Sequence, residues 1–304
     1  MSKMIEGKWE SQWRPTDGDG NGAFVRKPSV FRHKLPAELP EPGRYHLFVA
    51  WTCPWAHRTL LARSLKGLSE LIPVHFANEL TDRSWRFEGR IEDRSASPHG
   101  HQYLYELYLR ADPKYTGRVT VPVLWDEREQ RIVNNESSEI VAMLDALPSD
   151  APSLRPAHLV KEIDAWSERM YDTLNNGVYR AGFATTQAAY DEAVTGVFDM
   201  LDQLESHLQG RIWLVGNQLT EADIRLFVTA FRFDAAYVPL FRCNLKRYAD
   251  YPNLQAHLER IYALPGVAET GNLDAVRRGY ASIRAINPTG IVPIGPRSLL
   301  RRAA

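Results

Sequence analysis

An α/β first half followed by an all-α second half is the architecture this sequence predicts, and three observations lead there. Up to Leu147, strand-patterned and helix-patterned segments alternate. At 148–156 the run PSDAPSLRP, with its three prolines, reads as a linker. Beyond it, apolar residues recur at helical spacing for most of the remaining length. With 304 residues the chain is long enough for two domains, and the linker divides it into 1–149 and 150–304.

Residues 1–43 are rich in Gly, Pro and charge, with isolated aromatics at Trp9, Trp13 and Phe24. They predict an extended arm with little regular structure. From Arg44, RYHLFVAW is strand-like, and CPWAHRTLLARSLKGL carries helical spacing as far as Gly67. IPVHFAN supplies a second strand, and the polar stretch containing Trp85 reads as irregular before a helix around YLYELYLRAD. VTVPVLWDEREQRIVNN predicts two strands joined by a charged turn, and ESSEIVAMLDAL a closing helix, so the order is βαβα followed by ββα. In the second half, amphipathic segments cover 157–175, 187–209, 221–236 and 252–263. Thr220 is placed as an N-cap, with Asp223 three positions on near the helix amides. A Pro-rich tail, NPTGIVPIGPRSLLRRAA, ends the chain, and no internal repeat is visible.

Composition narrows the function classes. Lys plus Arg and Asp plus Glu are equal at 37 each, so no global basic field favours nucleic acid. Two cysteines, Cys53 and Cys243, are too few for a secreted disulfide framework or a tetrahedral thiolate zinc site, and they point to a reducing, cytoplasmic setting with no metal. No apolar signal core opens the chain, and no stretch reaches the roughly 20 apolar residues of a membrane span.

Cys53 is the residue with the clearest chemistry. A strand that ends in Cys-Pro at the mouth of a helix sets the sulfur beside free backbone N–H groups, which favour the thiolate. Lowering a thiol pKa by about two units takes on the order of 2.7 kcal/mol, within reach of a helix terminus and one or two hydrogen bonds. His57 and Arg58, one turn on, add positive charge or simply pack. The motif is Cys53-Pro54-Trp55-Ala56, so the neighbouring resolving thiol of dithiol chemistry is missing. A monothiol cycle resolved by a soluble thiol follows; the bland alternative is a small buried residue at a helix start.

The strand-CPWA-helix opening, the Val121-Pro122 pair and the run Asn135-Glu136-Ser137-Ser138 together resemble a glutathione transferase fold, with a thioredoxin-like first domain and a helical second domain. The resemblance implies that Val121, before a cis Pro122, meets the cysteinyl part of glutathione, and that Glu136 and Ser137 receive its γ-glutamyl group. Independently, X-Pro bonds are where cis peptides occur, and a helix N-terminus suits a carboxylate.

GAFVRKPSVFR, YHLFVAWTCPWAHR, NNGVYRAGFA, LTEADIRLFVTAFRFDAAYV and the late Gly279-Tyr280 are similar to the glutathionyl-hydroquinone reductases, the xi class. That likeness implies a Cys53–glutathione mixed disulfide resolved by a second glutathione. It also implies Tyr179, Tyr237 and Tyr280 around an aromatic substrate, Trp85 beside the glutathione site, Arg118 for a glycyl carboxylate, and a homodimer. An omega-like dehydroascorbate or thiol reductase using the same cysteine, or a non-catalytic ligand-binding protein on this fold, are the competing readings.

Overall fold

The computed structural model describes residues 3–10, 20–81, 84–87 and 99–300; Trp13 and residues 88–98 of the polar insertion lie outside them. The described residues form two compact units, one of 3–10 and 27–152 and the other of 20–26 and 153–300.

The first unit begins with a correction to the expected irregular arm. β1 (Lys3–Ile5) and β2 (Lys8–Glu10) pair antiparallel, with Met4 opposite Trp9. Glu6 and Gly7 between them both have positive φ, 46° and 76°, which gives the two-residue turn whose twist suits a hairpin. A Cβ at Gly7 would strike the Pro113 carbonyl oxygen, so glycine alone fits there. Met4 is fully buried, and the Trp9 ring stacks on Tyr105 at 5.3 Å.

β3 (Tyr45–Val49) buries Leu47, Phe48 and Val49 completely. α1 (Pro54–Leu65) starts on proline, where a missing N–H removes no helical bond, and gives way to Gly67 in the left-handed region. β4 (Val74–Phe76) returns parallel to β3, Leu47 facing Val74. The stretch read as irregular contains a short hairpin, β5 (Glu79–Thr81) and β6 (Ser84–Arg86), in which Leu80 faces Trp85. Strands this short show no periodicity to detect, and the hairpin is held by Phe87 N–H donating to the Gln102 carbonyl.

α2 (Leu104–Ala111) is capped by the Glu106 carboxylate, which accepts from Tyr103 N–H and Gln102 N–H. β7 (Gly117–Arg118) pairs with β1. β8 (Val123–Asp126) and β9 (Arg131–Asn134) complete a four-stranded sheet of order β4-β3-β8-β9. α3 (Ser137–Ala146) packs on α1. Just past α1, the buried Lys66 ammonium lies 3.3 Å from Asp145 and donates to the carbonyls of Ala151 and Pro152, tying down the end of the unit.

The helical unit contains α4 (Val160–Met170), α5 (Gly177–Gly182), α6 (Gln187–His207), α7 (Glu221–Arg232), α8 (Val238–Phe241), α9 (Pro252–Tyr262) and α10 (Leu273–Ala281). The four expected segments match α4, α6, α7 and α9. α5, α8 and α10 are too short to register as periodic patterns. Two π-helical turns, Tyr171–Asn175 after α4 and Phe233–Tyr237 after α7, extend their helices. Phe24, from residues 20–26, sets its ring 5.5 Å from Phe183.

The cap foreseen at Thr220 is present. The buried Asp223 carboxylate accepts from Thr220 N–H and Oγ, from Leu214 N–H, and faces His257 Nε2 at 2.9 Å. Removing a buried acceptor with this many partners strands several donors at once. Asp223→Ala is expected to destabilise the helical unit by about 3–5 kcal/mol and Thr220→Ala by about 1 kcal/mol, read by urea unfolding followed through tryptophan fluorescence.

Candidate active site

Cys53 is the extended N-cap of α1, and its side chain makes no capping bond to the helix. Pro54 has no N–H, so the amides at the sulfur's end of the helix begin with those of Trp55 and Ala56. The thiol instead donates to the Val121 carbonyl, Sγ to O 3.4 Å. The Val121–Pro122 peptide is cis, as the sequence suggested. Cys53 is 9% exposed; it sits where a hydrophobic strand end meets the start of a helix. His57 and Arg58 are buried beside it along α1, with the Arg58 guanidinium 4.4 Å over the Trp55 ring.

The segment leading to Val121 is fixed from below. Tyr108, whose phenol burial pushes upward in pKa, donates to the Thr120 carbonyl at 2.8 Å and accepts from Thr120 N–H and Asn135 Nδ2. Asn135 in turn accepts from Phe31 N–H. Its neighbour Glu136 is the N-cap of α3, with Oε1 accepting from Ser138 N–H and Oγ, and Oε2 accepting from Ser29 Oγ at 3.1 Å. Ser137 is the buried first residue of that helix. Since α1 packs on α3, the unit presents two helix N-termini, one with a thiol and one with a carboxylate and hydroxyls.

Trp85 and Arg118 are on other pieces. Trp85 is half-buried on the β5–β6 hairpin. Arg118, on β7 opposite Lys3, is also half-buried, and burial pushes its guanidinium pKa down.

In the helical unit the three tyrosines converge. Tyr280 OH lies 2.6 Å from Tyr179 OH and 3.1 Å from Tyr237 OH. The Phe241 ring packs edge-on to Tyr179 and Tyr280 and is stacked on Tyr237. Gly182 makes room for it, since a Cβ there would overlap the Phe241 ring. Burial pushes the Tyr237 and Tyr280 phenols well above their usual range, so both keep their protons at neutral pH. Three hydroxyls joined by two bonds use two of their protons on one another and leave one for another acceptor. Among the described residues, no group of three His, Cys, Asp or Glu is arranged to hold a metal ion, and no helix is long and apolar enough to cross a membrane.

Two contacts went unread in the sequence: Ser29 on Glu136, and Arg26, whose guanidinium lies 5.0 Å over the Tyr179 ring. Both fall in GAFVRKPSVFR, a run whose resemblance was visible while the purpose of its residues was not. Cys243 is fully buried, and burial pushes its thiol up to about 12.

Residues 52–147 match the family described as Glutathione S-transferase, N-terminal domain, and residues 187–260 match Glutathione S-transferase, C-terminal domain. The glutathionyl-hydroquinone reductase PcpF of Sphingobium chlorophenolicum is 51% identical over 97% of this chain and 96% of its own. The glutathionyl-hydroquinone reductase YqjG of Escherichia coli is 47% identical over 97% and 95%. Its glutathione-bound structure superposes with a TM-score of 0.88, covering 98% of this chain and 96% of that one at 44% identity. The xi glutathione S-transferase of Phanerochaete chrysosporium gives 0.88 at 44% identity, over 93% and 96%.

A thiol held protonated to about 12 is unreactive at pH 8. In the native protein, a disulfide reagent such as Ellman's is expected to titrate Cys53 alone, and Cys243 only after denaturation. Release of two equivalents from the folded protein would contradict the burial argument.

Proposed function

The chain belongs to the glutathione S-transferase family, and from that premise we propose that it reduces glutathionyl-hydroquinones to hydroquinones at the expense of glutathione. The observation that carries the proposal is the pairing, in one chain, of a monothiol helix cap with a cluster of three hydrogen-bonded phenols. A plain thiol or dehydroascorbate reductase needs the first and has no use for the second.

The Cys53 thiolate attacks the sulfur that joins glutathione to the quinol ring. An S–S bond forms and the C–S bond breaks. The sulfurs are oxidised to the mixed disulfide, and the ring carbon, which takes a proton, is reduced. The quinol's own hydroxyl proton first moves to the sulfur-bearing carbon, giving the keto form, so that on cleavage the electron pair of the C–S bond restores the aromatic ring and its charge gathers on the quinol oxygen. Tyr179, Tyr237 and Tyr280 form the cluster whose remaining O–H is donated there, and burial keeps the Tyr237 and Tyr280 phenols protonated. A second glutathione thiolate then attacks the glutathione sulfur of the mixed disulfide, releasing oxidised glutathione and the Cys53 thiolate.

The first domain, 1–149, binds glutathione through Val121 and Pro122 beside the sulfur and through Glu136 and Ser137 at the start of α3. Trp85 borders that site, and Arg118 pairs with the glycyl carboxylate. The second domain, 150–304, holds the aromatic ring. Two cysteines outside any disulfide suit a cytoplasmic enzyme, and the family relationship favours a homodimer.

The test is a steady-state assay with a glutathionyl-hydroquinone and excess glutathione, in which hydroquinone and oxidised glutathione are expected in equal amounts. Formation of a Cys53–glutathione adduct without hydroquinone release would replace this reading with a thiol reductase for another substrate. Cys53→Ala is expected to lower kcat by about 10³-fold or more and Tyr280→Phe by about 10²-fold. Cys243→Ser keeps wild-type turnover, because a buried protonated thiol resolves nothing.

A further inference from the structure

Residues 20–26 give the helical unit one charged side chain at the tyrosine cluster. The Arg26 Cζ lies 5.0 Å from the centre of the Tyr179 ring and 5.4 Å from that of Phe24. Its Nε donates to Asn176 Oδ1 at 2.9 Å. Asn176 is the N-cap of α5, the helix that carries Tyr179, and its carbonyl accepts from Tyr179 N–H. One guanidinium therefore holds both the start of the helix and the ring mounted on it.

Among the neighbouring arginines, Arg232 adds positive charge near Tyr237 and Tyr280, and each has a hydrogen-bonding partner of its own. Arg180 pairs with Glu192, Arg242 donates to the Ala181 and Gly182 carbonyls, and Arg232 donates to the Val228 carbonyl within its own helix. A cation over a phenol face is attracted by the ring's quadrupole, and a planar guanidinium adds a fixed direction that an ammonium lacks. Positive charge behind the ring also favours negative charge arriving at its hydroxyl.

We propose that Arg26 is a positioning residue for the phenol cluster: it fixes the Tyr179 ring and keeps a positive charge behind it, so that the cluster's remaining proton is offered to the oxygen of the departing quinol. The inference rests on the role given above to the tyrosines. It makes Arg26 matter in proportion to the charge that the quinol oxygen must carry, which is greatest for weakly acidic quinols and least for ring-chlorinated, more acidic ones. A residue that only pinned the arm would show no such gradient.

The test compares Arg26→Met, Arg26→Lys and wild type on glutathionyl-hydroquinones bearing increasing numbers of ring chlorines. Glutathionylation of Cys53 by oxidised glutathione, a step without quinol, serves as control. Arg26→Met is expected to lower kcat about tenfold on the unchlorinated substrate and progressively less along the series. KM and the control rate stay unchanged, and Arg26→Lys restores part of the loss. Equal losses across the series, a change in KM alone, a parallel loss in the control reaction, or wild-type turnover in Arg26→Met would overturn the inference while leaving the functional reading intact. No hydroquinone release by any protein, wild type included, overturns both.

Discussion

The register between β3 and β8 decides what the nucleophile touches. Phe48 faces Val123 across that antiparallel pair, so the chain on one side runs on to Cys53 at the mouth of α1 and on the other arrives through Val121 and Pro122. Sulfur and carbonyl then meet at 3.4 Å. A slip of one residue would turn every side chain of the pair to the opposite face and bring a different carbonyl to the sulfur. The register is secured by completely buried side chains on both strands, Leu47 and Phe48 on one, Val123 and Leu124 on the other. A hydrophobic core thereby sets the geometry of a polar contact. The Tyr108–Thr120–Asn135 network then holds the approach to Val121 from outside the sheet.

Much of this was legible in the sequence because it rests on local signals. A helix opening on Cys-Pro after an apolar strand and the Thr220–Asp223 box are short-range statements about backbone donors and acceptors, and both elements are present, although the Cys53 sulfur turns to the Val121 carbonyl and not to the helix amides; the cis bond before Pro122 came with the family resemblance. What escaped was non-local or too short to be periodic. The β1–β2 hairpin has three residues a side and is completed by Gly117–Arg118, more than a hundred positions later. Charge around Glu6-Gly7 disguised the turn. Ser29 and Arg26 could be recognised only by what they touch, and their partners Glu136 and Asn176 are far away in sequence.

The π turns explain why helical periodicity could not bring the tyrosines together on paper. Tyr237 closes the turn Phe233–Tyr237, and Tyr179 follows the turn Tyr171–Asn175. Each turn admits an extra residue and rotates everything after it relative to a regular helix. Projected on an ideal 3.6-residue wheel, the two side chains would be assigned wrong faces. In the folded chain both hydroxyls reach Tyr280, and Gly182 leaves Phe241 the space to back the cluster.

The arm belongs by turns to both compact units: residues 3–10 to the first, 20–26 to the second, and 27 onward to the first again. This interleaving makes the protein indivisible by a single cut. A fragment beginning at the linker keeps the tyrosines but lacks Phe24 and Arg26; a fragment ending there keeps Cys53 but retains a strip of chain built to cover something else. Modular exchange of the helical half between relatives would therefore have to carry a short piece of the N-terminus with it, and a recombination point at the linker alone would yield chimaeras whose arm and aromatic cluster come from different parents.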